Sequence, residues 1–225
     1  MKALVIDSSH LVDRLDVAFY LARDEVSEFF GDAPVSMLSE LCDPVKTRTP
    51  PAELATEAGT RCVKLRNVRG SVLDMRNCDH ISAVSAGEFI SAEQFDLLVT
   101  ATGEGTVGRV DIFTESVPGV VTGEVMLLRP RADKIDPFYL LAAMRTRIAT
   151  LQLTKFVRGA TGQTHLYWQD ISAMPIPLVD KGEQKAIRLL IEKAIKLQRQ
   201  AEKASDDAAR LTEKLVVEAA SKQGI

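Results

Sequence analysis

The sequence predicts an α+β protein: a mixed α/β domain over residues 1–178, then one long coiled-coil helix over residues 179–225. Three observations lead there. Short alternating apolar segments and helical patterns follow one another without strict βα alternation, which disfavours a doubly wound parallel sheet. Between Gly182 and Ala220 there is no proline or glycine, and apolar residues recur in heptads. The composition, 46% hydrophobic and 26% charged over 225 residues, is that of an ordinary folded chain with material for a sizeable core.

The elements follow in order. In LVDRLDVAFYLARDEVSEFF, residues 11–30, the positions Leu11, Leu15, Phe19, Val26 and Phe30 fall near helical spacing, and Gly31 stops the helix. The mixed segment PVSMLSELCD leads into a loop rich in proline and threonine, VKTRTPPAEL. In RCVKLRNVRGSVLDM, Cys62, Lys64, Arg66 and Val68 alternate with Val63, Leu65 and Asn67, so a strand, a turn at Gly70 and a second strand are expected. SAEQFDLLVTATGEGTVGRVDIFTES reads as two strands around a glycine-rich turn, and VVTGEVMLLRP as one further strand ended by Pro130. Asp136-Pro137 opens the helix FYLLAAMRTRIATLQ: the aspartate caps it, and the proline sits where a missing N–H costs nothing.

The heptad seam of the last helix is Ile187, Leu190, Ala194, Leu197, Ala201, Ala204, Ala208, Leu211 and Leu215. At 1.5 Å rise per residue the helix is a rod of about 60 Å. A domain with a radius of gyration of roughly 17 Å is too small to bury such a seam. The seam therefore calls for another helix, from a second copy or another protein, the other reading being a helix folded back on its own domain. Its several alanines let two backbones approach closely but bury less apolar area than leucine.

Composition and charge exclude some classes. No run of 18 or more apolar residues occurs, so no membrane span is expected. The opening MKALVIDSSHLVDRLD turns acidic too early for a secretory signal. Cys42, Cys62 and Cys78 are odd in number and lack CxxC spacing, as free thiols in a reducing cytoplasm would. His10, His80 and His165 are scattered, so neither a metal cluster nor a cofactor is expected. The net charge of −3 hides a segregation: residues 46–76 carry seven cations against three carboxylates, residues 129–158 seven against two, and residues 77–128 only Arg109 against eight. These charges are either dispersed and solvated, or they form a basic footprint for nucleic acid where the fold joins the two basic stretches.

Four motifs suggest chemistry, and each has a plainer reading. Gly103-Glu-Gly105-Thr-Val-Gly108 matches a dinucleotide fingerprint, but a strand follows where that site needs a helix, so a hairpin turn is expected. Asp136-Pro137-Phe138-Tyr139 is similar to the (D/N)PPY signature of amino-methyltransferases, and a capped helix start accounts for the same residues. Glu183-Gln184-Lys185 imitates half of a nuclease site but lies in a charged first helical turn. Asp7-Ser8-Ser9-His10 lacks the strained elbow that would expose its serines. No catalytic residue is therefore assigned.

The order of motifs resembles the specificity subunit of type I restriction-modification systems, in a half-length form. Arg14-Leu15-Asp16 with Phe19-Tyr20 is similar to the family's opening, and Phe95-Asp96-Leu97-Leu98-Val99 with Gly103, Gly108, Arg109 and Val110 to its hairpin. Ile135 to Leu140 resembles its "idp.yL" segment. Gly159 to Leu166, then Met174-Pro175-Ile176-Pro177-Leu178, then Glu183-Gln184, resembles its junction with the spacer helix. Val179-Asp180-Lys181-Gly182 departs from the usual proline-rich sequence there, so a looser start to the helix is expected.

The resemblance implies that residues 1–178 are a DNA target recognition domain and that the final helix is a spacer. A full family member pairs two such domains and two antiparallel helices, so a homodimer reading an interrupted palindrome is expected. A DNA adenine methyltransferase subunit and a restriction and translocase subunit would dock on it. Phosphates would be met from the two basic stretches, and bases read by Arg48, Thr49, Arg66, Asn67 and Arg69; Thr161, Gln163, Thr164 and His165 are either a second reading group or a structural turn that closes the domain. Lys46, Lys64, Arg109 and Arg158 complete the expected DNA-binding set. The other reading is an adaptor that regulates a full specificity subunit without reading DNA.

Overall fold

The computed structural model describes residues 17–159 and 164–222. Helix α1 (Val17–Phe30) buries Phe19, Tyr20, Ala22 and Val26, and ends at Gly31, whose φ of +50° suits a residue without a Cβ. Leu11 and Leu15 lie outside the described residues. Then come β1 (Val35–Met37), the single turn α2 (Leu38–Leu41), β2 (Cys42–Val45), β3 (Ala55–Thr56), β4 (Thr60–Val63) and β5 (Asp79–Ile81). The chain continues through α3 (Ala83–Ala86), β6 (Ser91–Ala92), β7 (Leu97–Thr100), β8 (Val110–Ile112), β9 (Gly119–Val121) and β10 (Val125–Pro130). It closes with α4 (Pro137–Met144), α5 (Arg147–Lys155), α6 (Trp168–Ile171), β11 (Pro175–Pro177) and α7 (Lys181–Lys222).

The architecture is mixed α+β with a long C-terminal helix, as the sequence predicts. The centre is an antiparallel sheet in the order β2-β10-β7-β8. Alternate residues along β7 enter different cores. Leu97 and Val99 join the cluster formed with α1, α4, α5 and Ile176, while Leu98 joins Val63, Phe113, Val121 and Leu127 on the other face. The sheet is thus a middle layer, covered by helices on one face and by a second sheet, β3-β5-β4-β9-β6, on the other. Burial on both faces explains why β7 reads as a continuous apolar run. Each fully buried leucine in this layer contributes about 1.5–3 kcal/mol. A two-stranded ribbon, β1 with β11, ties the start of the domain to the segment before α7.

The expected hairpin of β7 and β8 is present, pairing Leu97 with Ile112 and Val99 with Val110. The expected cap is present too: Asp136 Oδ1 accepts from the amides of Phe138 at 2.9 Å and Tyr139 at 3.2 Å. Four local expectations need correction. Residues 71–75 form no strand, and the strand that pairs antiparallel with β4 is β5, further on. The Asn67 amide donates to the carbonyls of Asp74 (2.9 Å) and Asn77 (3.2 Å) and accepts from the Lys64 amide (2.8 Å), so side-chain bonds replace a ladder and fold residues 64–78 into a loop. Val68, Val72, Leu73, Met75 and Cys78 of this loop are buried, which is why the stretch looked strand-like.

VVTGEVMLLRP is two strands in two sheets, because the chain turns at Thr122 to Glu124 between β9 and β10. The helix after Pro137 is broken at Arg145 and Thr146. Thr146 caps α5 through the Ala149 amide at 3.3 Å, and Arg145 turns back to the Val110 carbonyl at 2.7 Å. The start of α7 is not loose: Asp180 Oδ1 accepts from the amides of Gly182 (2.7 Å) and Glu183 (3.0 Å), and Glu183 returns the bond to the Asp180 amide (3.3 Å).

Candidate nucleic-acid interface

Strand direction decides where the loops go. Strands β2 and β7 finish, and β10 and β8 begin, at one end of the central sheet, as the pairs Val45–Leu127, Thr100–Val125 and Val99–Val110 show. The parallel strands β4 and β9 finish beside them, where the Thr122 amide donates to the Val63 carbonyl at 3.1 Å. Residues 46–50, 64–70, 101–109 and 122–124 therefore emerge together.

Each loop is pinned. Thr47 Oγ1 donates to the Val125 carbonyl at 3.1 Å, and Thr49 Oγ1 accepts from the Gly123 amide at 3.0 Å. Arg48 lies over the Phe89 ring, 4.8 Å from its centroid. In the hairpin, Gly103 has φ +94°, and a Cβ there would lie 2.4 Å from Thr106 Oγ1. The segment after α5 joins the same end: Arg158 and His165 exchange backbone bonds of 2.7 and 2.8 Å, Thr102 bridges to His165, and the Leu166 amide donates to the Ala101 carbonyl at 2.8 Å. The His165 ring stacks on Tyr167 at 5.8 Å, and both residues are exposed. The Gly103 turn is thus a hairpin turn, as expected.

The structure gathers Lys46, Arg48, Thr49, Lys64, Arg66, Asn67, Arg69, Arg109, Arg158, Thr164 and His165 at this end; Thr161 and Gln163 lie outside the described residues. They are not equally available. Asn67 is buried, its amide consumed within its own loop, so the expectation that it reads a base is corrected. Lys64 and Arg66 both pair with Asp79, whose carboxyl is held below the usual range by the Lys64 hydrogen bond, with Arg66 adding to it. Arg69 reaches Asp74 at 2.5 Å. Burial acts to raise Asp74, but bonds from the Asn77 side chain, the Arg76 and Asn77 amides and Arg69 outweigh it and hold its carboxyl low. Arg158 grips Asp170 with Nε at 2.9 Å and Nη2 at 2.6 Å, which makes it a closure of the loop. Among the described residues, Lys46, Arg48 and Arg109 have no carboxylate partner, and all three are exposed.

Among the described residues the two basic stretches meet only at Arg158 and at the mostly buried Arg145, which corrects a second expectation. Arg129 binds Asp96 and Arg131 binds Asp43 at the opposite end of the sheet. Arg145 is consumed by Asp111, which has no exposed surface and also accepts from the amides of Arg69 (2.6 Å) and Gly70 (3.1 Å). Burial raises the Asp111 carboxyl and lowers the Arg145 guanidinium, outweighing their mutual attraction. The acidic middle of the sequence thus neutralises much of the basic flanks inside the fold. Asp74, Asp79, Asp111 and Asp170, which hold the loops, and Tyr167 were not picked out from the sequence. The complementary charge of neighbouring stretches was the signal that could have found the aspartates. All three cysteines are free and buried, and burial pushes the Cys42 thiol up to about 12 and the Cys78 thiol up to about 11.

Helix α7 carries two apolar stripes. Ile187, Ile191 and Ile195, with Gln184, face α4 and the core. Gln184 is buried, accepting from the Asp136 amide and donating to the Val179 carbonyl, both at 3.0 Å. Ile187 therefore belongs to the domain contact and leaves the expected seam. The other seam positions, Leu190, Ala194, Leu197, Ala201, Ala204, Ala208, Leu211 and Leu215, are all exposed; Leu190 is 68% and Leu211 59% accessible. At 3.6 residues per turn this bare stripe lies roughly 115° round the helix from the domain contact. No described helix is long and apolar enough to cross a membrane, and no described group of side chains could hold a metal ion.

A family model for the type I restriction modification DNA specificity domain matches residues 32–205. The chain belongs to that family. The specificity domain is 21% identical over 174 residues to the putative type I restriction enzyme MjaX specificity subunit of Methanocaldococcus jannaschii, covering 75% of this chain and 41% of that protein. Its fold is similar to a chain from a structure of the type I restriction-modification system, with TM-score 0.54 and 18% identity over 86% of this chain and 49% of that one. It is also similar to the HsdS subunit from Thermoanaerobacter tengcongensis, with TM-score 0.51 and 17% identity over 83% of this chain and 45% of that one. The chain thus spans less than half of each of these relatives.

Proposed function

We propose that the specificity domain reads double-stranded DNA through the loops at the β2-end of its central sheet, as the recognition component of a type I restriction-modification system. One observation carries this reading: strand direction, with the bridge from Thr102 to His165, delivers Lys46, Arg48, Arg109, His165 and Tyr167 to a single exposed end. Lys46 and the paired arginines face phosphates and set register, while Arg48, Arg109 and His165 stand where they can reach base edges. The chain has no catalytic role in this account. Chemistry belongs to partners, a DNA adenine methyltransferase subunit and a restriction and translocase subunit, that dock on it.

The bare leucine stripe supports the second part of the proposal. Two copies pair through it with two-fold symmetry, and the target is then an interrupted palindrome. Light scattering on the purified chain tests this. A dimer is expected, falling to a monomer when Leu197, Leu211 and Leu215 are changed to glutamate. A monomer at micromolar concentration with α7 intact refutes self-pairing.

A further inference from the structure

Two kinds of chemistry attach α7 to its domain. The first is apolar and short: Ile187, Ile191 and Ile195 reach the core, reinforced by Arg188, which binds Asp136 at 3.1 Å and lies over the Phe138 ring. From Gln184 to Ile195 this contact spans only about 16 Å of helix. Beyond Ile195 no described hydrophobic side chain of α7 is buried.

The second attachment is polar and lies further along. Arg199 donates to Thr114 Oγ1 at 2.7 Å and to Glu115 at 2.8 Å, and Glu115 also faces Arg61 at 3.4 Å. Arg76 reaches out from the domain to Asp206 at 2.6 Å and to Glu202 at 3.5 Å. Between these bonds lies a cleft of about 300 Å³ floored by Leu73 and Met75, so here the helix is held off the domain surface by charged side chains. Arg76 is itself fixed, since its amide donates to Asp74 at 3.1 Å, and Asp74 anchors the loop that carries Arg66 and Arg69.

We propose that Arg76 and Arg199 are positioning residues: a strut that sets the angle between domain and helix and thereby the spacing of the two half-sites a dimer reads. The spacing clause rests on the DNA-reading function proposed above. The short apolar contact is a pivot, and the strut lies beyond it. A tilt of about 10° acting over roughly 35 Å, twice the expected radius of gyration, displaces the loop end by about 6 Å. That is close to two base-pair steps of about 3.4 Å. Each exposed ion pair holds weakly by itself, but at this lever arm it acts directly on the angle.

The test compares the full chain with Arg76→Ala/Arg199→Ala and with Arg76→Lys/Arg199→Lys, in two readouts. The first is the spacer distribution among duplexes selected from a random library. The second is the distance between spin labels at Val84→Cys and Ala209→Cys, diluted with unlabelled protein; both sites are exposed, and the buried native thiols do not compete. The alanine pair is expected to keep the half-site sequence while the spacer spreads by about two base pairs, and to broaden the label distance. The lysine pair is expected to restore both. A single spacer unchanged from wild type overturns the proposal, whatever the label distance does. If the wild-type chain selects no enriched sequence, the DNA-reading function fails separately, and if it selects one unrepeated site, self-pairing fails. The label distance then decides the strut alone: unchanged width overturns it, and broadening sustains it.

Discussion

Replacing Asp111 with alanine should be among the most damaging single changes in the domain. Its carboxylate is fully buried and takes three donors: the Arg69 amide at 2.6 Å, the Gly70 amide at 3.1 Å and Arg145 Nη2 at 2.5 Å. Removing it leaves Arg145 mostly buried with only the carbonyls of Val110 and Ser71, and leaves two amides without their acceptor. Breaking a buried pair from one side costs about 3–5 kcal/mol. The amides do not add fully, because they share the same acceptor. Urea denaturation followed by circular dichroism should show that loss at an unchanged denaturant slope. Hydrogen exchange should quicken in residues 66–77, since Asp111 pins that loop to β8. The double variant Asp111→Ala/Arg145→Met should recover part of the loss by removing the stranded charge. A loss below about 1 kcal/mol for Asp111→Ala, or strictly additive single variants, would refute the idea that this pair holds the loop in place.

Four further sets of changes have defined outcomes. Asp136→Ala should cost about 1–2 kcal/mol, the loss of a helix cap plus a partly exposed bond to Arg188. Asp136→Asn should keep most of the cap, and equal losses in urea melts would contradict capping. Asp74 is depressed below its unfolded value, so the unfolded chain binds the extra proton. Its contribution is complete above about pH 5 and fades as pH falls through the lowered carboxyl, below about pH 4. Asp74→Asn should flatten the acid limb of a stability–pH curve, and an unchanged limb would contradict this. Lys46→Ala should lower the salt slope of DNA binding by up to about 0.9, and Arg48→Ala or Arg109→Ala should each cost about 1–3 kcal/mol of sequence discrimination, all without unfolding the domain. Arg158→Ala should instead destabilise it, because Arg158 is committed to Asp170.

Local features were legible in the sequence, and pairings across the fold were not. The Asp136 cap, the glycine hairpin and the leucine stripe depend on residues close together in the chain, so spacing reveals them. Asn67 alternated like a strand residue, but its bonds to Asp74 and Asn77 turn the segment into a loop that no periodicity announces. Ile187 fits the heptad register and also the second register of Ile191 and Ile195, and only packing against α4 decides between them. The basic stretches gave a misleading footprint for a related reason. Arg129, Arg131 and Arg145 meet Asp96, Asp43 and Asp111 only once the sheet has formed. What survives is a smaller set, Lys46, Arg48 and Arg109, identified by strand direction and by the absence of a carboxylate partner among the described residues.

Selection of bound duplexes from a random library by the purified chain asks whether a symmetric pair of these domains reads DNA. One short sequence is expected, recovered twice in inverted orientation across a fixed spacer. Recovery of no enriched sequence, or of a single unrepeated site, would contradict it.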